Sequence, residues 1–216
     1  MAVFATYDWM VDWNANSIFG DANEDVTADV QRCEWRMGRD YASQLTGKSR
    51  GGRLMANLDH HTGAGKYNSF NAASAIFGNI LPGRKVRLRG TDGTGAVTLW
   101  QGFLDRINPQ VFTGAARTAL FEAVGPLAFV GQPWNDVFLQ MVPNELTGTV
   151  VNGLLDMVSW PAGDRDVDPG RSTIRRRQFG GPQARVSVLE SLHRVEETEN
   201  GFLDESTDGK VIFEDR

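Results

Sequence analysis

Leu54, Ala56 and Leu58 alternate with Arg53, Met55 and Asn57, and Val86 and Leu88 alternate with Lys85, Arg87 and Arg89. A period of two with one wet face predicts half-buried antiparallel strands. The same pattern places strands at Val3–Thr6, Val26–Met37, Arg53–Leu58, Lys85–Arg89, Val97–Trp100, Phe103–Ile107 and Arg117–Val124. Turn signals separate them: Gly51-Gly52, Gly63 to Gly65, Pro82-Gly83, Asp92-Gly93 and Asn108-Pro109. Many short strands with such punctuation predict an antiparallel β-barrel or sandwich over residues 1–130.

After Gly125 the period changes. Pro126, Pro133 and Pro143 break a connector, and Asn144 is placed to cap a helix running to Ser159. Leu146, Val150, Val151, Leu154, Leu155 and Val158 fall on one stripe of it. A strand is expected from Thr173 to Phe179, then a second helix from Ser187 to Glu199. That helix buries Val188, Leu189, Leu192 and Val195, carries a Glu190–Arg194 pair, and stops at Asn200-Gly201. The chain closes on a hairpin, FLDES-TDGK-VIFED, with Asp208-Gly209 at its tip. The expected fold is therefore mainly β with an α+β part over 131–216. Arg216 follows directly on a strand, so that strand is either an open edge or part of something larger.

Composition refines this picture. The chain has 216 residues, 41% of them hydrophobic and 23% charged, enough for one large domain or two small ones. A net charge of −5 provides no general basic field for nucleic acid. The single cysteine, Cys33, excludes an intramolecular disulfide framework. No apolar run approaches the roughly 18 residues that span a bilayer. MAVFATYDWM lacks the basic and apolar regions of a secretory signal, so the chain is expected to fold in a cytoplasm, with no membrane association. The 24 glycines suit many turns, and the six tryptophans suit sheet faces or interfaces.

Candidate chemistry is sparse. Ala42 to Ser49 comes within one glycine of a phosphate-binding loop, but Gly51-Gly52 would abort the helix that loop requires. Asp12, Asn14, Asn16 and Asp21 loosely resemble a calcium loop, yet Ser17 and Asn23 stand where glycine and glutamate belong, so an Asx-rich turn is expected. His60 and His61 would point to opposite faces of a strand, and His193 is assigned to the polar side of the second helix, so no metal set forms. Cys33 has no histidine near it in sequence, and no nucleophile elbow is present. Glu196, Glu197 and Glu199 read as solvated charge at a helix end. Arg175, Arg176 and Arg177 form a dense basic patch that reads as an inter-subunit surface answering Asn23 to Asp25 or Asp164 to Asp168. The expectation is no enzyme, no cofactor and no metal.

One succession of motifs carries a resemblance. GRDY, a Leu-rich strand ending in LD, KYNSFN, LPGRKVRLRG and GFLDRI follow one another between Gly38 and Ile107. In that order they resemble the N-terminal barrel of bacteriophage tail hub and minor tail proteins. YDWMVDWNANSIFGDANEDVTADV is similar to that family's opening segment, and the C-terminal helix and hairpin are similar to its α+β element. The resemblance implies a barrel of the tail-tube type, forming a ring around a channel for DNA near the tail tip or baseplate. It implies a homo-trimer, or a hexamer if the chain is a distal tail protein. It further implies contacts to tail tube, distal tail, spike or fibre proteins, no specific DNA binding, and location in the virion tail. Aromatic and arginine enrichment at interfaces puts Trp9, Trp13, Trp35, Arg36, Arg39, Tyr41, Trp100 and Trp134 at subunit contacts, with core placement of the tryptophans as the alternative. A carbohydrate- or receptor-binding sandwich and a wall-degrading domain are the readings from other classes.

Overall fold

A computed structural model describes residues 6–38, 48–60, 65–111, 117–131, 139–140, 144–174, 178–179 and 186–216. The chain divides into two compact units, Met1–Arg36 with Arg53–Gly125, and Met37–Gly52 with Pro126–Arg216. The second unit thus takes in a stretch from within the region expected to be barrel.

The first unit is an antiparallel six-stranded sheet. Its strands are β1 (Thr6–Val11), β2 (Val30–Arg36), β3 (Arg53–Asp59), β4 (Lys85–Thr91), β5 (Ala96–Val111) and β6 (Arg117–Val124), in the order β1-β4-β5-β6-β3-β2. The period of two holds: Leu54, Ala56 and Leu58 on β3, Val86 and Leu88 on β4, and Trp9 and Val11 on β1 are buried. The sheet is strongly curled. Trp9 and Phe121 lie on strands that a flat sheet would hold roughly 14 Å apart, yet their rings meet edge to face at 5.2 Å and 82°. The concave side is the core, filled by Trp9, Trp100, Phe121, Leu104 and the buried residues of β3 and β4.

Several elements differ from the sequence reading, each for a local reason. The two strands expected between Val97 and Ile107 are one strand, β5, bent where the register shifts at Leu88/Arg89 and at Leu104/Arg106. Asn108-Pro109 is not a turn but part of β5. Pairing to β4 ends at Phe103, so Pro109 lies where β5 pairs with β6 alone and its missing donor is tolerated. Val26 to Asp29 does not extend β2. Val26 N–H bonds the Trp9 carbonyl, Val11 N–H bonds the Glu24 carbonyl, and a 3-10 turn follows at Thr27–Asp29. Thr6, expected to end a strand, begins β1, whose apolar residues had been read only as an opening segment. Residues 3–5 lie outside the described residues.

The second unit contains α1 (Pro126–Val130), β7 (Leu139–Gln140), β8 (Glu145–Leu146), α2 (Thr147–Met157), β9 (Arg165–Val167), β10 (Thr173–Ile174), β11 (Gln178–Phe179), α3 (Val188–Glu199), β12 (Phe202–Glu205) and β13 (Val211–Glu214). α2 buries Val150, Val151, Leu154 and Leu155 as expected. Its N-cap is Leu146 rather than Asn144, which sits at φ 68 in a left-handed turn. α3 starts where predicted: the Ser187 hydroxyl accepts the Glu190 N–H at 3.1 Å, and Asn200 ends the helix at φ 53. The final strand is not an open edge. β13 is the centre of a three-stranded sheet, paired antiparallel with β12 and parallel with β9. Gly51 is required by close approach, since a Cβ there would stand 2.3 Å from the Ala128 nitrogen.

Candidate functional site

In the first unit the curl of the sheet brings its two outer strands to the sides of one cleft. The cleft holds about 400 Å³ and is lined by Tyr7, Trp9 and Leu88 on one side and by Val30 to Cys33 and Trp35 on the other. Among the described residues β2 pairs with β3 alone. On β1, residues 24–27 cover the outer edge only around Trp9 and Val11. Tyr7 is 54% exposed and Trp35 41% exposed, so two large rings flank strand edges that no further strand pairs among the described residues.

The tryptophans assigned to contacts separate into two groups. Trp9, Trp13 and Trp100 are buried within the first unit, which gives them the core placement that the sequence left open. Trp35 and Arg36 are exposed on β2. Arg39, Tyr41, Trp134, Arg175, Arg176 and Arg177 lie outside the described residues. Of the acidic stretches that were to answer the arginines, Glu24 is buried and its Oε2 accepts the Gly20 and Asp21 N–H groups at 2.9 and 3.0 Å. Asp166 and Asp168 are exposed.

The groups with chemical potential are held in structural roles. Asp12 spends both oxygens on the N–H groups of Asn16 and Ser17, and Asp21 Oδ2 takes the side-chain amides of Asn14 and Asn16. The Asx-rich turn expected there is present. Burial, then the neighbouring Glu34, pushes the Cys33 thiol up to about 11, so it stays protonated at neutral pH. Burial, then the bond to Asp29, raises Tyr67 well above its ordinary value. Its hydroxyl donates to Asp29 Oδ2 at 2.5 Å, beside the Lys66 ammonium at 2.7 Å. His60 is buried, its Nδ1 accepts the Tyr67 N–H at 3.3 Å, and burial, with Arg117 second, lowers its pKa. His61 and residues 42–47 lie outside the described residues; Lys48 pairs with Glu197 at 2.8 Å. Among the described residues no group of three or more His, Cys, Asp or Glu side chains could hold a metal ion, and no helix is long and apolar enough to cross a membrane.

The second unit overturns two side-chain assignments. His193 is buried rather than on a polar face, and its Nδ1 lies 2.9 Å from Glu196 Oε2. Glu196 and Glu199 are buried staples rather than solvated charge. Glu196 Oε1 accepts the Leu203 N–H at 3.0 Å. Glu199 accepts the Arg171 and Ser172 N–H groups at 3.1 and 2.9 Å and the Thr147 hydroxyl at 2.5 Å. Burial alone would raise the Glu199 pKa, but these bonds outweigh it and hold the carboxyl below its ordinary value. Helical spacing does carry the signal, because Glu199 continues the Val188, Leu192, Val195 stripe.

Neither a family model nor a curated protein matches this sequence. Solved structures do. The 43 kDa tail protein of prophage MuSo2 from Shewanella oneidensis aligns with a TM-score of 0.55 at 13% identity, over 98% of this chain and 53% of that one. A tail protein from Neisseria meningitidis MC58 aligns with a TM-score of 0.59 at 8% identity, over 96% of this chain and 50% of that one. At these identities the likeness is one of fold, and the chain spans about half the length of either neighbour.

Proposed function

We propose that this chain is a structural component of a phage tail, or of an injection machine built from tail parts, and that it works near the tail tip as part of a ring around the channel. The observation that carries this reading is the curled sheet whose outer strands, among the described residues, leave the β2 edge and the Tyr7 end of the β1 edge without a further strand, beside exposed rings. Unpaired edges attract further strands, and a rigid ring component uses that tendency at a defined contact. The β1 and β2 edges, with Tyr7, Trp35 and Arg36, are therefore assigned to neighbouring copies or neighbouring tail proteins. The likeness in fold to two tail proteins over nearly the whole chain supports the same reading.

In this role the protein does geometry rather than catalysis. Trimer symmetry would mark it as a hub joining the tube to spike or fibre proteins, and hexamer symmetry as a distal tail protein. The channel passes DNA without binding a sequence. Tails purified from a producing host should contain this chain by mass spectrometry, and antibody to it should label one end of the tail. Its absence from purified tails, or label along the whole tube, would overturn the proposal.

A further inference from the structure

The chain passes between its two units at residues 36/37, 52/53 and 125/126. Two of these passages lead to the same side chain. Glu205, on β12, is buried. Its Oε1 accepts the Gly52 N–H at 2.5 Å, and its Oε2 accepts the Leu127 N–H at 3.2 Å. Gly52 is the last residue before β3, and Leu127 is the second residue of α1, just beyond β6. Gly51, packed against Ala128, keeps the two segments in contact inside the second unit. We infer that Glu205 is a single pin that fastens two of the three chain passages to the second unit, so that one protonation event alters both attachments together.

The surroundings make that proton responsive. α1 brings no charged group to the carboxylate. The 48–52 segment carries Lys48 and Arg50, both exposed, with Lys48 paired to Glu197. On α3, His193 and Glu196 are bonded to each other. At the start of β13, Lys210 pairs with Asp208, and Val211 stands opposite Glu205. The adjacent Asp204, whose Oδ1 accepts the Ser49 hydroxyl at 3.0 Å, adds negative charge. Burial first, then Asp204, pushes Glu205 up to about 7 against the pull of its two backbone bonds. A carboxyl whose folded value lies above its unfolded one binds its proton more tightly when folded, so its contribution to stability falls as pH rises from the ordinary carboxyl range to neutrality. The ionised form offers acceptors to both amides. The neutral form turns one oxygen into a donor, which breaks one attachment, and leaves the other amide on an uncharged, weaker acceptor, so both attachments change.

The test follows the Gly52 and Leu127 amides of the full chain by NMR from about pH 5 to 9, a range spanning this titration. Both resonances should move with one shared midpoint near neutrality. In Glu205→Gln both movements should vanish, and one of the two amides should exchange at least about tenfold faster, as expected for losing one hydrogen bond. Asp204→Asn should lower the shared midpoint while the two amides still move together. Separate midpoints, no movement in the wild-type chain, or movements that persist in Glu205→Gln would overturn the inference. If Glu205→Gln fails to fold, the wild-type titration alone decides.

Discussion

Trp9 and Trp35 sit on the two outer strands of one sheet and line the same cleft, yet their surroundings give them opposite roles. Trp9 is 1% exposed and packs edge to face on Phe121. Truncating it leaves a cavity that the close-packed concave face cannot fill. Trp9→Ala should cost about 3–5 kcal/mol in urea unfolding. Trp35 is 41% exposed, so Trp35→Glu should change monomer stability by under about 1 kcal/mol. Its effect should instead appear as lost association in sedimentation or light scattering. A large loss of stability from Trp35→Glu would place that ring in the fold rather than at a contact. Buried acids are the other lesson at this scale: Glu196, Glu199 and Glu205 each hold backbone N–H groups from other segments. Composition cannot show this, because the same residue type on a wet face looks identical in sequence.

The sheet is joined across its strands by a further buried acid. Glu122 on β6 bonds Arg53 of β3 at 2.6 Å and Arg106 of β5 at 2.8 Å. Burial alone would raise its pKa, but the two guanidinium groups outweigh burial and hold it below its ordinary value of 4.5. The contribution is therefore present above pH 4.5 and is lost as pH falls through the folded value. Glu122→Gln should cost about 1–3 kcal/mol at neutral pH, with the difference from wild type shrinking in acid. A difference that stays constant into acid would mean the ion pair contributes nothing. The elements legible in the sequence were those with a complete local signal: the alternation of β3 and β4, the Ser187 cap and Asn200 stop of α3, and the Asp208-Gly209 hairpin. What escaped depended on partners distant in sequence. Pro109 is acceptable in β5 only because β4 has already ended, and β9 is a strand only because β13 pairs with it. The expected break in β5 fell at Gln101-Gly102, where the ladder to β4 in fact runs on through Gln101↔Arg87 and Gly102↔Val86.

At the scale of the whole chain, the curled sheet and the helix-and-hairpin unit match the sequence-based expectation of a mainly β protein with an α+β C-terminal part. The cleft between the outer strands did not follow from pattern, because the sheet order that makes β1 and β2 the outer strands is not visible in local periodicity. The candidate site was legible only as residue types. Sequence named Trp35 and Arg36 alongside three tryptophans that are core, and only burial separates them. The functional reading rests on strand edges that no further strand pairs among the described residues, beside exposed rings, and an open edge that serves assembly must close when copies meet. Native mass by light scattering, with negative-stain images of the same peak, tests this most directly. The account predicts a closed ring, trimeric or hexameric, with a central hole. A monomer that stays monomeric in the presence of its neighbouring tail proteins, and whose tryptophan emission shifts with glycan, would contradict it and make the cleft a sugar-binding site.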